Sequence, residues 1–431
     1  MLPAYGGPCL NIRPPRASEV DLTFGAPPSK SYTHRALIIA SLAGGRSRII
    51  RPLRARDTMI TCRALRTLGS DIFSSGEDFL ITGNSGTLSC REGLTLDMEN
   101  SGTSLRLLTS VTLLCNNGVI ITGNARMQER PVGSLVTALN ELGGRIRYPG
   151  RPGFPPLLVE GLFEGGAVTI PGDISSQFIS SLLIAGPYAL SDIGITITGT
   201  VASRSYIDLT CDCMKAFGVI PEREGYRKFT IRSGGRYSAR DYLIEGDYSS
   251  ASYFFAIAAA CGGRVRVTNL NPESVQGDRA FLEAIRMMGC TICFSRSGVV
   301  VESPGKLSGI SIDMSSSPDT VQTLCMLAAG ASSPSVITGI SHLKYKESDR
   351  LQSTADIINN LGGNVTITAD SVTILPVPLH AGTIDPLDDH RTAMSAAVLA
   401  LTRGDIIIKN AECVDKSFPG FWNELKKAGL C

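Results

Sequence analysis

The chain has 431 residues, with 41 basic and 39 acidic side chains and a formal net charge of +2. Its length exceeds what one hydrophobic core usually supports, so we expect two domains. The near balance of charge argues against a surface that binds nucleic acid. We interpret the local basic run as a solvated strand edge and loop, and it comprises Arg46, Arg48, Arg51, Arg54 and Arg56.

The N-terminal segment M-L-P-A-Y-G-G-P lacks the charged and apolar regions of a signal peptide, and no apolar stretch reaches the roughly 20 residues of a spanning helix. We therefore expect a soluble, cytoplasmic protein with no membrane partner. Most of the twelve cysteines lie on apolar segments, as Cys115, Cys261 and Cys325 do. Reduced, buried thiols are the favoured interpretation, including for Cys290-x-x-Cys293, rather than disulfides or metal ligands.

A helix followed by a glycine stop and a strand recurs six times along the chain. The closing glycines lie 67 to 75 residues apart and are Gly69, Gly143, Gly218, Gly289, Gly362 and Gly429. Each copy also has a more apolar helix and a glycine-punctuated strand, as in A-L-I-I-A-S-L-A-G-G-R-S-R-I-I at 36–50. Such regular spacing predicts six units of helix, strand, helix and strand, some with extra short strands. The apolar helices lack a polar face, so they are predicted to be buried.

The first polar gap, P-P-S-K-S-Y-T-H-R, opens an apolar helix. Ser29 or Ser31 can cap this helix, and Lys30, Ser31 and Arg35 cluster at its N-terminus. Free backbone N–H groups and the helix dipole attract anions to such an end. An ordinary capped helix with solvated charges remains an equally good interpretation.

The next gaps repeat this arrangement with fewer charges. In N-S-G-T-S-L-R, Asn100 is predicted to be the cap and Gly102 leaves room for an anion, whereas Q-E-R-P places Arg130 before a helix that begins at Pro131. The third unit offers neutral hydrogen-bonding groups suited to hydroxyls and phosphate oxygens, namely Ser175, Ser176, Gln177, Ser203 and Tyr206. Ordinary turn chemistry, a surface arginine, plain caps and a packed tyrosine are the alternatives.

The last two units carry more charge. Their polar segments supply Asp319, Lys346, Glu347, Asp349, Arg350, His390, Arg391 and Lys416. The tight mixture of signs in K-E-S-D-R suggests an ion-pair network, which could be structural. A site that only bound anions would lose affinity through Asp319 and Glu347, so these two are interpreted as proton-transfer groups.

Repeated units should place equivalent helix ends on equivalent sides of each domain. The cations of both domains could then hold two multiply charged anions, with phosphates and carboxylates as the obvious candidates. The sequence has no metal-ligand spacing, P-loop or dinucleotide fingerprint, so no metal or cofactor is implied.

In its motifs and in their order, the chain resembles a known family, the 5-enolpyruvylshikimate-3-phosphate synthases. The matching segments are P-S-K-S, N-S-G-T-S-L-R, Q-E-R-P, S-S-Q, K-E-S-D-R, D-H-R-T-A-M and K-S-F-P. The resemblance implies an α/β (α+β) fold of two domains, each with three copies of a β-α-β-α-β-β unit. One domain would span 21–244 and the other 1–20 plus 245–431, with the active site in the cleft between them.

The resemblance also implies a reaction. Phosphoenolpyruvate and shikimate 3-phosphate would give enolpyruvylshikimate 3-phosphate and inorganic phosphate through a tetrahedral intermediate. No cofactor would be needed, the partners would be these small molecules, and the protein is expected to be a monomer.

Motif matching then implies roles for individual residues. Contacts to shikimate 3-phosphate would come from Lys30, Ser31, Arg35, Ser175, Ser176, Gln177, Ser203, Tyr206, Asp319, His342 and Lys346. Contacts to phosphoenolpyruvate would come from Lys30, Asn100, Gly102, Arg130, Gln177, Glu347, Arg350, Arg391 and Lys416. Asp319 would be the base at the hydroxyl, Glu347 with Lys30 or Lys416 would make the other proton transfers, and His390 is a further catalytic candidate. His342 departs from the pattern, since many bacterial members have asparagine there.

Two rival functions remain. UDP-N-acetylglucosamine enolpyruvyl transferases resemble this chain, but they usually have a reactive cysteine on the loop that is G-N-A-R-M-Q-E-R here. A catalytically silent sugar-phosphate binder is the other. It would be free to lose Lys30, Asp319, Glu347 and Lys416, which are all present.

Overall fold

The computed structural model describes residues 10–12, 20–296 and 298–431. The chain divides into two compact units. The central unit spans residues 28–244, and the terminal unit comprises residues 1–27 and 245–431. The predicted first boundary at residue 21 falls inside strand Val20–Gly25, which is paired along its whole length with Gly263–Thr268 of the terminal unit. Because a ladder of hydrogen bonds holds that strand, the boundary lies after it.

The described strands and helices alternate along most of the chain. The strands are β1 (Leu10–Ile12), β2 (Val20–Gly25), β3 (Gly44–Ile50), β4 (Asp71–Ser75), β5 (Asp78–Asn84), β6 (Leu94–Asp97), β7 (Val119–Thr122), β8 (Gly144–Arg147), β9 (Leu157–Gly161), β10 (Gly166–Pro171), β11 (Ile193–Thr198), β12 (Glu222–Glu224), β13 (Lys228–Ile231), β14 (Asp241–Leu243), β15 (Gly263–Thr268), β16 (Thr291–Ser295), β17 (Gly298–Ser303), β18 (Ser311–Asp313), β19 (Ser335–Thr338), β20 (Asn364–Ile367), β21 (Ser371–Leu375), β22 (Gly382–Ile384) and β23 (Ile406–Ile408). The helices are α1 (Lys30–Leu42), α2 (Arg56–Thr67), α3 (Gly102–Val111), α4 (Gly133–Glu141), α5 (Ser176–Ala185), α6 (Ser205–Ala216), α7 (Tyr248–Cys261), α8 (Ala280–Met287), α9 (Val321–Ala329), α10 (Arg350–Asn360), α11 (His390–Arg403) and α12 (Phe421–Lys427).

One sheet plan recurs, and the second repeat shows it without interruption. Its sheet has the order β6-β7-β9-β8. β6 is parallel to β7 across α3, β7 is antiparallel to β9, and β8 and β9 form an antiparallel pair after α4. The third and fifth repeats have the same order, in β10-β11-β13-β12 and β18-β19-β21-β20. The predicted β-α-β-α-β-β unit is confirmed.

The first and fourth repeats borrow their first strand from elsewhere in the chain. β14, which follows the third repeat, pairs in parallel with β3, and β2 pairs in parallel with β15. The sixth repeat forms the sheet β1-β23-β22, in which β1 is antiparallel to β23. The sheet of each of these three repeats is therefore completed by a strand that is distant from it in sequence.

The basic run lies partly on β3, where the predicted strand edge is wrong. β3 lies between β14 and β5, so it is an inner strand of its sheet. Arg48 forms an ion pair with Asp78, and the guanidinium of Arg54 donates to the carbonyl oxygens of Gly76 and Asp78. These partners account for much of the basic run without an anionic ligand.

The apolar helices form the interior of each unit, as their sequences predict. Residues 32–42 of α1 and 248–259 of α7 are all buried. Strands such as β6 and β11 alternate buried and exposed residues, so one sheet face covers the helices. In the described part of the chain, no helix is long and apolar enough to cross a membrane.

The repeat glycines have a common backbone conformation. All six closing glycines have positive φ, between 71° at Gly429 and 113° at Gly289. A residue with a Cβ would be strained there, which explains why the repeat is punctuated by glycine. The described cysteines are free thiols and most are buried, although Cys293 on β16 is exposed.

Candidate active site

The N-terminus of α1 holds the first predicted group of the central unit. Ser29 is the N-cap, and its hydroxyl accepts from the backbone N–H of Tyr32. The ammonium group of Lys30 lies 3.5 Å from the carboxylate of Asp57, and the two side chains are 12% and 3% exposed. A buried carboxylate thus holds the lysine at the helix end.

Arg35 lies one turn further into α1 and is almost completely buried. Its Nε donates to the hydroxyl of Thr210 (2.7 Å) and its Nη1 to the carbonyl oxygen of Ser31 (2.9 Å). Its Nη2 donates to the hydroxyl of Ser180 (3.4 Å) and the carbonyl oxygen of Tyr206 (3.2 Å). Burial lowers the pKa of Arg35 to about 10. The guanidinium therefore joins α1 to α5 and α6 and places positive charge behind Ser31.

The N-terminus of α3 differs in one detail from the prediction. Ser101, rather than Asn100, is the N-cap, and its hydroxyl accepts from the backbone N–H of Ser104. The guanidinium of Arg130 lies against the first residue of this helix, because a Cβ added at Gly102 would be 2.6 Å from its Nη2. Glycine is therefore required if Arg130 is to approach the free N–H groups of this helix end.

Arg130 itself follows the short 3-10 helix Met127–Glu129. The prediction that the next helix begins at Pro131 is wrong, since α4 begins at Gly133. The guanidinium of Arg130 is buried, with the residue only 3% exposed.

The N-terminus of α5 carries Ser175 as the N-cap and the buried Ser176 as its first residue. The side chain of Gln177 is fixed at both ends. Its Oε1 accepts from Nη1 of Arg106 (2.8 Å), and its Nε2 donates to the hydroxyl of Thr103 (3.0 Å). These bonds tie the start of α5 to the start of α3.

Ser203 and Tyr206 lie beside the start of α6. Ser203 is buried and has a φ of 55°, which is uncommon for a residue with a side chain. The carbonyl oxygen of Tyr206 accepts from Arg35, as described above. This turn is therefore connected to α1.

Hydroxyl groups connect the remaining helix ends. Nδ1 of His34 lies 2.8 Å from the hydroxyl of Thr61, which is 2.7 Å from the hydroxyl of Ser104. Together with Arg35 and Gln177, these contacts bring the N-termini of α1, α3 and α5 to one end of the central unit. That end combines cations, hydroxyls and an amide, which suits an anion that also carries hydroxyl groups.

The terminal unit builds a more strongly charged group around Arg350, the first residue of α10. Its Nε donates to Asp389, its Nη1 to Asp319 and its Nη2 to Glu347, at 2.8, 2.9 and 2.8 Å. Burial alone would lower the pKa of this arginine, but the carboxylates of Asp389, Glu347 and Asp319 raise it above the ordinary value. The predicted ion-pair network is therefore present around K-E-S-D-R.

Asp319 joins this arginine to a second one. Its Oδ2 accepts from Nη2 of Arg391 at 2.7 Å, and Nη1 of Arg391 donates to the hydroxyl of Tyr253 at 3.3 Å. Burial raises the pKa of Tyr253 to about 12, so the hydroxyl stays neutral at physiological pH. Asp319 thus bridges two guanidinium groups with its two oxygens.

Asp389 fixes the start of α11. Its side chain accepts from the backbone N–H of Arg391 and from the hydroxyl of Ser348. His390 is completely buried, with Nδ1 3.6 Å from Asp389. The ring is fully buried in this structure, and the catalytic role of His390 stays a prediction.

Three further predicted residues lie in short 3-10 helices or next to them. His342 lies in Ser341–Tyr345, which Lys346 follows directly, and Lys416 ends Ala411–Lys416. Burial, and then the charge of Lys346, lower the pKa of His342 to about 3. His342 is therefore a neutral hydrogen-bonding group at physiological pH.

Several residues of these clusters were missed by the sequence analysis, namely Asp57, Arg106, Tyr253, Asp278 and Asp389. Asp278 accepts from the hydroxyls of Ser249 and Ser317, and burial, followed by the charge of Asp319, raises its pKa to about 6. Asp389 could have been found, because aspartate directly before a helix is a preferred N-cap. The others have no local signal, since their partners are distant in sequence.

Among the residues that the structure describes, no group of three His, Cys, Asp or Glu side chains could hold a metal ion. The functional groups are instead cations, carboxylates and hydroxyls at helix ends. Such groups can bind multiply charged anions and transfer protons.

Comparison with known proteins agrees with this chemistry. Residues 16–425 match the sequence model of EPSP synthase (3-phosphoshikimate 1-carboxyvinyltransferase). A 3-phosphoshikimate 1-carboxyvinyltransferase from Methanoculleus marisnigri is 55% identical over 419 residues, which are 97% of this chain and 99% of the relative. One from Xenorhabdus nematophila is 38% identical over 97% of this chain and 98% of the relative.

A solved structure shows the same fold. The EPSP synthase from Acinetobacter baumannii superimposes with a TM-score of 0.80 and 28% sequence identity, over 98% of each chain. With the family match over residues 16–425, these relationships establish that the chain belongs to the EPSP synthase family.

Proposed function

We propose that this protein transfers the enolpyruvyl group of phosphoenolpyruvate to the 5-hydroxyl of shikimate 3-phosphate and releases inorganic phosphate. The observation that carries the proposal is the group around Asp319. This carboxylate lies 2.9 Å from one buried arginine and 2.7 Å from another. Arginines suited to a substrate carboxylate and a carboxylate able to accept a proton are therefore in direct contact.

The central unit supplies binding groups in this proposal. Its hydroxyls and Gln177 would contact the ring and phosphate of shikimate 3-phosphate, through Ser31, Ser175, Ser176, Ser203 and Tyr206. Arg35 lies behind Ser31, where it orients the helix start and adds positive charge. Lys30, beside Asp57, is close to the same helix end and would touch both substrates.

The phosphate group of phosphoenolpyruvate would lie at the start of α3. There Gly102 leaves space for Arg130, and the start of a helix favours a bound anion. Asn100 precedes this helix end, and Gln177 is tied to it through Thr103. From the terminal unit, Lys416 would add a second positive charge to the phosphate.

The terminal unit would carry the remaining contacts and most of the proton-transfer groups. Arg350 and Arg391 would hold the carboxylate of phosphoenolpyruvate, and Lys346 and the neutral His342 would contact shikimate 3-phosphate. Asp319 would lie at the 5-hydroxyl.

The chemistry then follows in two balanced steps. In the addition, Asp319 takes the proton of the 5-hydroxyl, the oxygen bonds to C2 of phosphoenolpyruvate, and an acid protonates the C3 methylene to a methyl group. In the elimination, a base removes one methyl proton, the bond from C2 to the phosphate oxygen breaks, and phosphate leaves. Glu347, with Lys30 or Lys416, would make the transfers at C3 and at the phosphate.

The test is phosphate release from the purified protein with phosphoenolpyruvate, measured in parallel with shikimate 3-phosphate and with UDP-N-acetylglucosamine. We expect release with shikimate 3-phosphate alone. Release only with the nucleotide sugar would assign the protein to the rival transferase activity. Binding of both substrates with no release would identify a silent sugar-phosphate binder.

The same proposal has the protein act as a cytoplasmic monomer without nucleic acid or membrane partners. The monomer is what the family resemblance implies, whereas the absence of a nucleic-acid partner is inferred from the near balance of charge. Sedimentation of the purified protein during turnover would test the monomer directly.

A further inference from the structure

The carboxylate of Asp319 is placed as a bound substrate carboxylate would be. One of its oxygens is 2.9 Å from Nη1 of Arg350 and the other is 2.7 Å from Nη2 of Arg391. A planar carboxylate that bridges two guanidinium groups is a strong, geometrically specific anion contact. A substrate carboxylate that bridged the two arginines at these donors would have to displace Asp319.

The arginines are fixed, whereas Asp319 is the accessible member of the group. The side chains of Arg350 and Arg391 are 1% and 5% exposed, and that of Asp319 is 17% exposed. Asp389, which is completely buried, holds Nε of Arg350, and the hydroxyl of Tyr253 holds Nη1 of Arg391. Both guanidinium groups would therefore keep their positions if Asp319 turned away.

Glu347 also pairs with Arg350 but could not serve in the same way. Its Oε2 accepts from Nη2 of Arg350 at 2.8 Å, and this contact reaches one arginine only. Replacing Glu347 with another carboxylate would leave Asp319 across the pair. Of these two carboxylates, Asp319 is the one whose departure opens a bridging position.

We propose that Asp319 is a built-in occupant of the phosphoenolpyruvate carboxylate position, and that substrate binding exchanges one carboxylate for the other. This inference rests on the proposed function. In the free protein the carboxylate of Asp319 contacts both Arg350 and Arg391. The substrate carboxylate takes over both guanidinium contacts, and Asp319 turns towards the 5-hydroxyl as the base.

The exchange has two physical consequences. Phosphoenolpyruvate must compete with an internal carboxylate, so the free protein binds it more weakly than it would if Asp319 did not contact the two arginines. A carboxylate that leaves two guanidinium groups also becomes a stronger proton acceptor. Asp319 would therefore become an effective base only when phosphoenolpyruvate has bound, which couples proton removal to the presence of the second substrate.

The experiment is titration calorimetry of phosphoenolpyruvate into the full-length protein without shikimate 3-phosphate. Asp319→Asn keeps the side-chain shape but removes the competing charge, so we expect the Kd to fall about tenfold or more. Asp313→Asn is the matched control, because it removes one negative charge from the same unit at an exposed carboxylate on β18 that does not bridge the two arginines. It should change the Kd less than about threefold.

A second measurement uses the wild-type protein and does not depend on how the variants fold. Titrations in buffers of different ionisation enthalpy report the protons taken up on binding. We expect more proton uptake by the wild type than by Asp319→Asn or by Asp319→Ala. Unchanged or weaker binding by Asp319→Asn would overturn the exchange, and so would equal tightening by Asp313→Asn. Equal proton uptake by the wild type and the Asp319 variants would also overturn it. Phosphate release by the wild type is decided separately, so the two proposals can fail independently.

Discussion

The helix ends of the central unit and of the terminal unit use different chemistry on the same repeated fold. In the central unit, hydroxyls, an amide and single cations surround the starts of α1, α3 and α5. In the terminal unit, the single guanidinium of Arg350 contacts three carboxylates, those of Asp319, Glu347 and Asp389. The comparison teaches that one repeat plan can carry hydroxyls, an amide and separate cations at its helix ends in one unit and closely coupled charges in the other.

The largest expected effect is the loss of the terminal unit's base. Asp319→Asn should reduce turnover by about 10³-fold or more, because an amide cannot take the hydroxyl proton. Binding of shikimate 3-phosphate should change much less, because the central unit provides most of its contacts. Steady-state phosphate release and calorimetry measure the two quantities. Asp313→Asn, at an exposed carboxylate on β18, is the control, and near-normal turnover of Asp319→Asn would refute the assignment.

A second prediction concerns the buried His342 of the terminal unit. Its pKa is lowered from 6.5 to about 3. Between these pH values the unfolded chain binds a proton at His342 that the folded protein does not bind. The contribution of the neutral His342 to the free energy of unfolding is therefore complete above pH 6.5 and is lost as the pH falls towards 3. His342→Asn should remove about 4 kcal/mol of this loss in the free energy of unfolding, measured by urea unfolding across the window.

The exposed His380 offers a control for that experiment. His380→Asn removes a histidine from the same unit without removing a buried ring. We expect it to leave the acid sensitivity unchanged. If the two variants behaved alike, burial of His342 would not be the cause.

Asp278 should show the opposite pH dependence. Its pKa is raised from 3.8 to about 6, so its contribution to stability is complete below 3.8 and is lost as the pH rises through 6. From the acidic to the neutral end of this window, the free energy of unfolding of Asp278→Asn should rise by about 2 kcal/mol relative to that of the wild type. Urea unfolding at both ends measures the change, and a constant difference would show that Asp278 does not titrate there.

The smallest predicted effect tests the central unit. A Cβ at Gly102 would lie 2.6 Å from Nη2 of Arg130, so Gly102→Ala should displace this guanidinium. We expect the KM for phosphoenolpyruvate to rise about tenfold, with kcat changing less, since the change affects binding. Gly194→Ala on β11 has open space around its Cβ and is the control. A fall in kcat with an unchanged KM would contradict the assignment of substrate binding to this helix end of the central unit.

Much of the fold could be predicted from the sequence because the repeat signal is local. The closing glycine and the apolar helix can both be recognised within a short stretch of sequence, and the positive φ of these glycines explains the first signal. The pairing of β14 with β3 and of β2 with β15 could not be read this way, because strands distant in sequence leave no local signal. For the same reason the first boundary was placed within β2.

The candidate site shows the same limit. Helix starts were located well, but Ser101 caps α3 where Asn100 was expected, because adjacent residues of similar capping strength cannot be separated by pattern alone. The motifs supplied Arg350 and Arg391. Their connection through Asp319 and the hold of Asp389 on Arg350 depend on packing between α10, α11 and the turn before α9.

The most direct test of the central claim is one turnover in deuterated water, with deuterium at C3 of the product measured by NMR. In the addition step, a solvent-derived deuteron converts the C3 methylene to a methyl group that rotates freely before phosphate leaves. The elimination then removes only one of the three methyl hydrogens, so the product must retain solvent deuterium at C3. The wild-type product should contain it, and Asp319→Asn should form neither product nor deuterated phosphoenolpyruvate. A wild-type product without deuterium at C3 would contradict the addition and elimination steps assigned to these residues.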